Sequence, residues 1–98
     1  MRKYARDLAL APRGWIRARL HFVRKASEHI REMPMSKYQT WHPIEGTGTV
    51  EVCATVQDDL ELKRWLLSFG AEVEVCEPAR LRKEMAEEMR KALRAYDA

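Results

Sequence analysis

Hydrophobic and polar positions along this chain keep changing their period, and each change marks an element. From Ile16 to Phe22 they alternate strictly, which predicts a strand with Ile16, Ala18, Leu20 and Phe22 buried and Arg17, Arg19 and His21 outward. Val23, Ala26, Ile30 and Met33 then recur at helical spacing, predicting a helix that Pro34 closes. Tyr38 to His42 reads as a short strand that Pro43 confines to a sheet edge or to its own end. After the turn Glu45-Gly46-Thr47-Gly48, alternation returns from Thr49 to Val56 with the even-numbered residues inward. Asp58 is the expected cap of the next helix, with Glu61 as its reciprocal partner three residues on. That helix, Asp59 to Phe69, carries Leu62, Trp65, Leu66 and Phe69 on one side and stops at Gly70, where a left-handed cap costs no side-chain clash. Trp65 and Phe69 are expected to wedge it against the sheet, with Lys63 and Arg64 on the wet side. Val73 and Val75 then point inward and Glu72, Glu74 and Cys76 outward until Pro78 ends the strand. Residues 79–96 complete the chain as a helix with Leu81, Met85, Met89, Leu93 and Tyr96 along one stripe.

This order predicts an α+β fold, a ferredoxin-like split β-α-β (βαββαβ) antiparallel sheet with an additional C-terminal helix. In that topology the first strand lies between the third and the fourth. Arg17, Arg19 and His21 then share the helix-free face with Glu51, Cys53 and Thr55 from one neighbour and Glu72, Glu74 and Cys76 from the other. One reading is a charge ladder, in which facing opposite charges contribute roughly 0.2–1 kcal/mol per pair. The other is a basic surface for a phosphate or an acidic partner.

Composition and charge refine this picture in a few respects. Ninety-eight residues, 46% hydrophobic and 34% charged, suit one globular domain, with residues 1–14 as a basic lead-in and 15–98 as the folded unit. No apolar run approaches the ~18 residues of a membrane span, and no secretory leader opens the chain. Residues 1–31 hold nine Arg/Lys against Asp7 and Glu28, a balance of +7, and the remainder carries −4. Such asymmetry permits a nucleic-acid face at the N-terminal side without requiring one. Cys53 and Cys76 form no CxxC pair and fit free thiols in a reducing cytoplasm. Two strands apart, they are too distant for a disulfide, at about 4.8 Å per strand. A metal site built from His21, Cys53 and Cys76 lacks a fourth ligand and short ligand spacing, so no metal is expected. No phosphate loop follows a strand, and none of Ser27, Ser36 and Ser68 has a nucleophile-elbow context. The chain is therefore expected to be neither an enzyme nor a carrier of a cofactor. The face positions hold no aromatic residues, so base stacking of the kind seen on RNA-binding sheets is not expected.

Residues 60–78, LELKRWLLSFGAEVEVCEP, with Leu81-Arg82 beyond them, resemble the C-terminal extension (WCX) domain of WYL-domain transcriptional regulators. In that family a helix ending E-L-x-x-W-(I/L)-L-x-F-G leads to a strand x-V-E-V-x-x-P, then to L-R and a final helix. The likeness extends over roughly residues 13–96, with Gln39 in the place of a Gln that precedes the hairpin. Ser36-Lys37-Tyr38 before it and Trp41-His42-Pro43 after it depart from the family pattern. The lead-in through Leu10 is similar to the tail leaving the WYL barrel. Neither that barrel nor the DNA-binding winged helix is present in these 98 residues, which suggests an excised domain or a stand-alone relative.

The resemblance implies a cytoplasmic, non-catalytic bacterial module, homodimeric, taking part in dimerisation and in the response to an effector, with a nucleic acid or nucleotide among the candidates. DNA would be gripped only by a separate N-terminal domain of the parent regulator. Arg13, Arg17, Arg19 and Arg24 are the candidate effector residues, and Leu81, Met85, Met89 and Leu93 the candidate dimer interface. The alternative is a stand-alone domain that binds a small ligand or anion on the open sheet face.

Overall fold

The computed structural model describes residues 14–32, 34–36 and 38–97. Its elements are β1 (Trp15–Val23), α1 (Arg24–Glu32), β2 (Thr40–Ile44), β3 (Thr49–Gln57), α2 (Leu60–Leu67), β4 (Val73–Glu77) and α3 (Ala79–Asp97), with a single 3-10 turn at Gly70–Glu72. The four strands make one sheet in the order β2-β3-β1-β4, every neighbouring pair antiparallel. The fold is thus α+β, and β1 lies between β3 and β4 as the sequence order implies. The lead-in expected over residues 1–14 falls outside the described residues except for Gly14, whose carbonyl accepts from Asp58 N–H at 2.8 Å.

Period-two alternation carries directly into burial. Ala18, Leu20, Phe22, Val50, Val52, Ala54, Val56, Val73 and Val75 all point to one face, where Ala26 and Ile30 of α1, Leu62 and Leu66 of α2, and Leu81 and Met85 of α3 complete a single core. Phe22, at the sheet's centre, is fully buried and meets Phe69 edge to face at 5.2 Å, and Phe69 meets Trp65 likewise at 4.9 Å. This stack seats α2, with Trp65 partly buried against the core. Arg64 is exposed as expected, whereas Lys63 is mostly covered and reaches Glu84 of α3.

Several boundaries differ from the sequence reading. β1 begins one residue earlier, at Trp15, and ends on Val23, which extends the strand instead of opening α1. β2 is shifted to Thr40–Ile44 and includes Pro43, a placement open to it because β2 is an edge strand. Trp41 fastens this edge to α1: its indole N–H donates to the Ser27 carbonyl, and the Arg31 guanidinium lies 4.4 Å above its ring.

The cap of α2 is Asp59, not Asp58. Asp59 Oδ1 accepts from Leu62 N–H at 2.8 Å. Asp58 is freed for another task and, buried, receives Arg80 of α3. Either aspartate satisfies the sequence pattern, and only the extended backbone at Asp59 selects it. At the other end α2 tightens through Ser68 and Phe69 before Gly70 turns left-handed at φ +57°.

The fourth strand carries a bulge. Leu20 pairs with Val75 and His21 with Glu74, but Arg19 pairs with Glu77, so Cys76 is an extra residue with no partner in the register. Glu72, expected on this strand, lies in the 3-10 turn.

α3 divides its stripe. Leu81 and Met85 are buried in the chain's own core, while Met89, Leu93 and Tyr96 stand 38%, 56% and 87% exposed. The helix outruns the sheet, and from Met89 to Asp97 every residue is exposed. No helix among the described residues is long and apolar enough to cross a membrane.

Candidate functional site

Away from the helices, the sheet presents the odd-numbered residues of β1 and β3 and the outward side chains of β4. Two different environments lie along β1. At its C-terminal half, charges are matched: Arg19 reaches Glu51 at 3.4 Å and Glu77 at 3.3 Å, and His21 Nε2 lies 2.9 Å from Glu51. Glu74 accepts from Arg82 at 2.6 Å, so α3 ties itself to the sheet edge. The charge ladder read from sequence is therefore present around Arg19, with Glu77 rather than Glu72 as a member because of the bulge.

These contacts move the titrations as expected. The hydrogen bond from His21, followed by that from Arg19, holds the Glu51 carboxyl below its ordinary value. Arg82 does the same for Glu74. Burial, with Glu74 nearby, pushes the Cys76 thiol up, and the Glu77 bond raises Arg19. A lowered folded-state carboxyl contributes stability that is present above the unfolded value, near 4.5, and lost as pH falls through the folded one. Urea midpoints should thus fall on acidification below about pH 4.5, and the Glu51→Gln variant should lose less on that limb than the parent chain.

The N-terminal half of β1 is different. Arg17 pairs in register with Thr55, and its Nη1 donates to Thr55 Oγ1 at 3.1 Å and to the Tyr38 carbonyl at 2.9 Å. Among the described residues no carboxylate neutralises it, so it belongs to no ladder. Trp15, two positions back on the same face, is 68% exposed, and Tyr38 is 65% exposed. The sequence reading missed this aromatic flank by starting the strand at Ile16 and by placing Tyr38 in β2. Its expectation of no aromatic residues on the face is corrected by Trp15.

Gln39 holds the segment that carries Tyr38. Its Oε1 accepts from Met35 N–H at 2.8 Å, and its Nε2 donates to the Ile30 carbonyl at the end of α1. Below this segment an open cleft of about 750 Å³ runs between the end of α1 and the start of α2, lined by Trp15, His29, Met35, Glu61, Leu62 and Trp65 among others.

The three candidate effector arginines among the described residues, Arg17, Arg19 and Arg24, are not gathered into one patch. Arg17 and Arg19 share the open face, but Arg19 is consumed by two glutamates. Arg24 opens α1 at the far end of β1, roughly 23 Å from Arg17 at ~3.3 Å per residue. Arg13 lies outside the described residues. Of the candidate interface residues, Leu81 and Met85 are interior to the chain, and Met89 and Leu93 are on its surface. Cys53 and Cys76 are free and lie on β3 and β4, with β1 between them.

The model of one protein family, the WCX domain, matches residues 15–93, from the first residue of β1 to the outer half of α3. The chain belongs to the WCX domain family. Comparison with curated proteins finds no match. Within this WCX domain, the match covers the Arg17 patch and the exposed Met89 and Leu93 of α3, and Tyr96 lies beyond it.

Proposed function

We propose that this WCX domain is the non-catalytic regulatory module of a WYL-type transcriptional regulator, folded in the ferredoxin-like arrangement and contributing a dimer contact and an effector surface. Family membership supports the regulatory setting, and the sheet order β2-β3-β1-β4, with two helices between its strands, supports the arrangement.

The observation that carries the assembly role is the divided stripe of α3. Met89, Leu93 and Tyr96 continue the line of Leu81 and Met85 but are exposed, increasingly so toward the end of the helix. A second copy is the occupant that suits them. Glu84 and Glu88 are ion-paired within the chain, with Arg80 and Lys63 and with Lys91, so the contact between two copies would rest on the apolar side chains. Leu93→Lys combined with Tyr96→Lys should leave a folded monomer at concentrations where the parent chain is dimeric. An unchanged sedimentation coefficient in that variant would count against the helix as the contact.

The effector role rests on Arg17. A guanidinium that meets no carboxylate among the described residues, flanked by exposed Trp15 and Tyr38, has the elements that hold single-stranded nucleic acid or a nucleotide: a phosphate contact beside rings on which bases stack, each stack worth about 1–3 kcal/mol. Binding of a labelled single-stranded oligonucleotide should weaken with rising salt and fall roughly tenfold in Trp15→Ala. Equal affinity in the parent chain, Trp15→Ala and Arg17→Ala would move the effector surface elsewhere.

A further inference from the structure

The bulge in β4 has a chemical consequence on the open face. It sets Cys76 beside His21 and Glu74, so that an imidazole nitrogen, a thiol sulfur and a carboxylate oxygen all lie within 4.8 Å of one another. Cys53, which the sequence reading set alongside His21 and Cys76, is not part of this group. We propose that His21, Glu74 and Cys76 form a binding site for a divalent cation of the zinc class.

Donor type, spacing and charge support the assignment. Imidazole nitrogen, thiolate sulfur and carboxylate oxygen are the three ligand types of zinc, whose bonds of about 2.0–2.3 Å place tetrahedral donors roughly 3.3–3.8 Å apart. A contraction of about 1 Å, within the reach of side-chain rotation, closes the group on an ion. His21 also has a carboxylate partner. Its Nε2 lies 2.9 Å from Glu51, and with that nitrogen donating to the carboxylate the ring's remaining lone pair sits on Nδ1. A carboxylate behind a ligating histidine is the usual outer-shell arrangement of a zinc site. Glu74 gives Oε2 to Arg82, and among the described residues Oε1 accepts no hydrogen bond. The immediate charges are Glu51, Glu74 and Glu77 against Arg19 and Arg82, an excess of one negative charge before any thiol ionises. Three protein ligands leave one tetrahedral position for solvent.

Glu74 and Cys76 are two residues apart on β4, and His21, far from them in sequence, pairs with Glu74 from β1. A strand pairing and a bulge bring them together.

The test uses the reduced 98-residue chain, stripped of metal, with Co²⁺ and Zn²⁺ as probes. One equivalent of Co²⁺ should produce a thiolate-to-cobalt charge-transfer band that Zn²⁺ bleaches, and equilibrium dialysis should retain one zinc per chain. Cys76→Ser and His21→Ala should abolish the band, Cys53→Ser should keep it, and Glu51→Gln should weaken zinc retention by about 10–100-fold. Absence of the band in the parent chain overturns the proposal regardless of how any variant folds. Loss of the band in Cys53→Ser, with its retention in Cys76→Ser, overturns it as well.

Discussion

Leu81→Ala should lower the stability of this domain by about 2–5 kcal/mol, and Leu93→Ala should leave the unfolding of the dilute chain within about 0.5 kcal/mol. The two residues lie on one helix stripe twelve positions apart, and sequence alone gives them the same role. Leu81 is 1% exposed within the chain's own core, and Leu93 is 56% exposed. Truncating Leu81 removes buried methyl groups and leaves a cavity between α3 and β4, whereas truncating Leu93 removes surface that the single chain never covered. Chemical denaturation at several protein concentrations separates the two effects. The Leu81 loss should be present at every concentration. Any Leu93 loss should appear only as concentration rises, because stability gained from association depends on mass action. A Leu81→Ala variant as stable as the parent would mean that α3 does not pack on its own sheet.

Phe22→Ala is expected to be the most damaging single truncation, costing about 3–5 kcal/mol. Phe22 is fully buried on the central strand β1 and opposes Val50 on one side and Val73 on the other. Its ring is also the base on which Phe69 and then Trp65 stack edge to face, so its loss unseats α2 along with the cavity it leaves. Total stabilities of small domains are about 5–15 kcal/mol, and a loss of this size takes a large part of that. The variant should show a strongly reduced urea midpoint, or no cooperative transition at 37 °C. Trp65→Ala should cost less, because Trp65 lines the open cleft and is only partly buried. A Phe22→Ala transition within 1 kcal/mol of the parent would contradict the core described above.

Much of the fold was legible because each strand carries one buried face. Period-two alternation located β1 and β3 to within a residue at most ends, and the hydrophobic spacing with Gly70 and Pro78 delimited α2 and β4. The errors share a physical origin: each depended on a contact distant in sequence. Asp58 and Asp59 are equivalent as caps until backbone geometry chooses one, and Arg80, twenty-two residues on, claims the other. The bulge at Cys76 leaves no mark in the pattern VEVCEP, yet it turns Glu77 toward Arg19 and sets Cys76 beside His21 and Glu74. β2 was misplaced because Pro43 argues against a strand wherever edges are unknown.

The candidate site was legible only in part. Parity placed Arg17 and Arg19 on the open face together, but it could not tell that Glu51 and Glu77 neutralise Arg19 while Arg17, among the described residues, binds a carbonyl and a hydroxyl. Likewise a stripe of five apolar residues on α3 is continuous in sequence, and only the length of the sheet beneath it decides which of them are covered. A helix of nineteen residues is about 28 Å long at 1.5 Å per residue, more than the five-residue strand β4 can cover at ~3.3 Å per residue.

The central claim, that the outer half of α3 is an assembly surface, is tested most directly by the solution mass of the 98-residue chain. Light scattering across protein concentration, at low and high salt, should find a dimer that persists in high salt, since apolar packing of Met89, Leu93 and Tyr96 is not screened as phosphate or surface-charge contacts are. A monomer at every concentration and both salt conditions would contradict the account and leave those three residues without a partner copy.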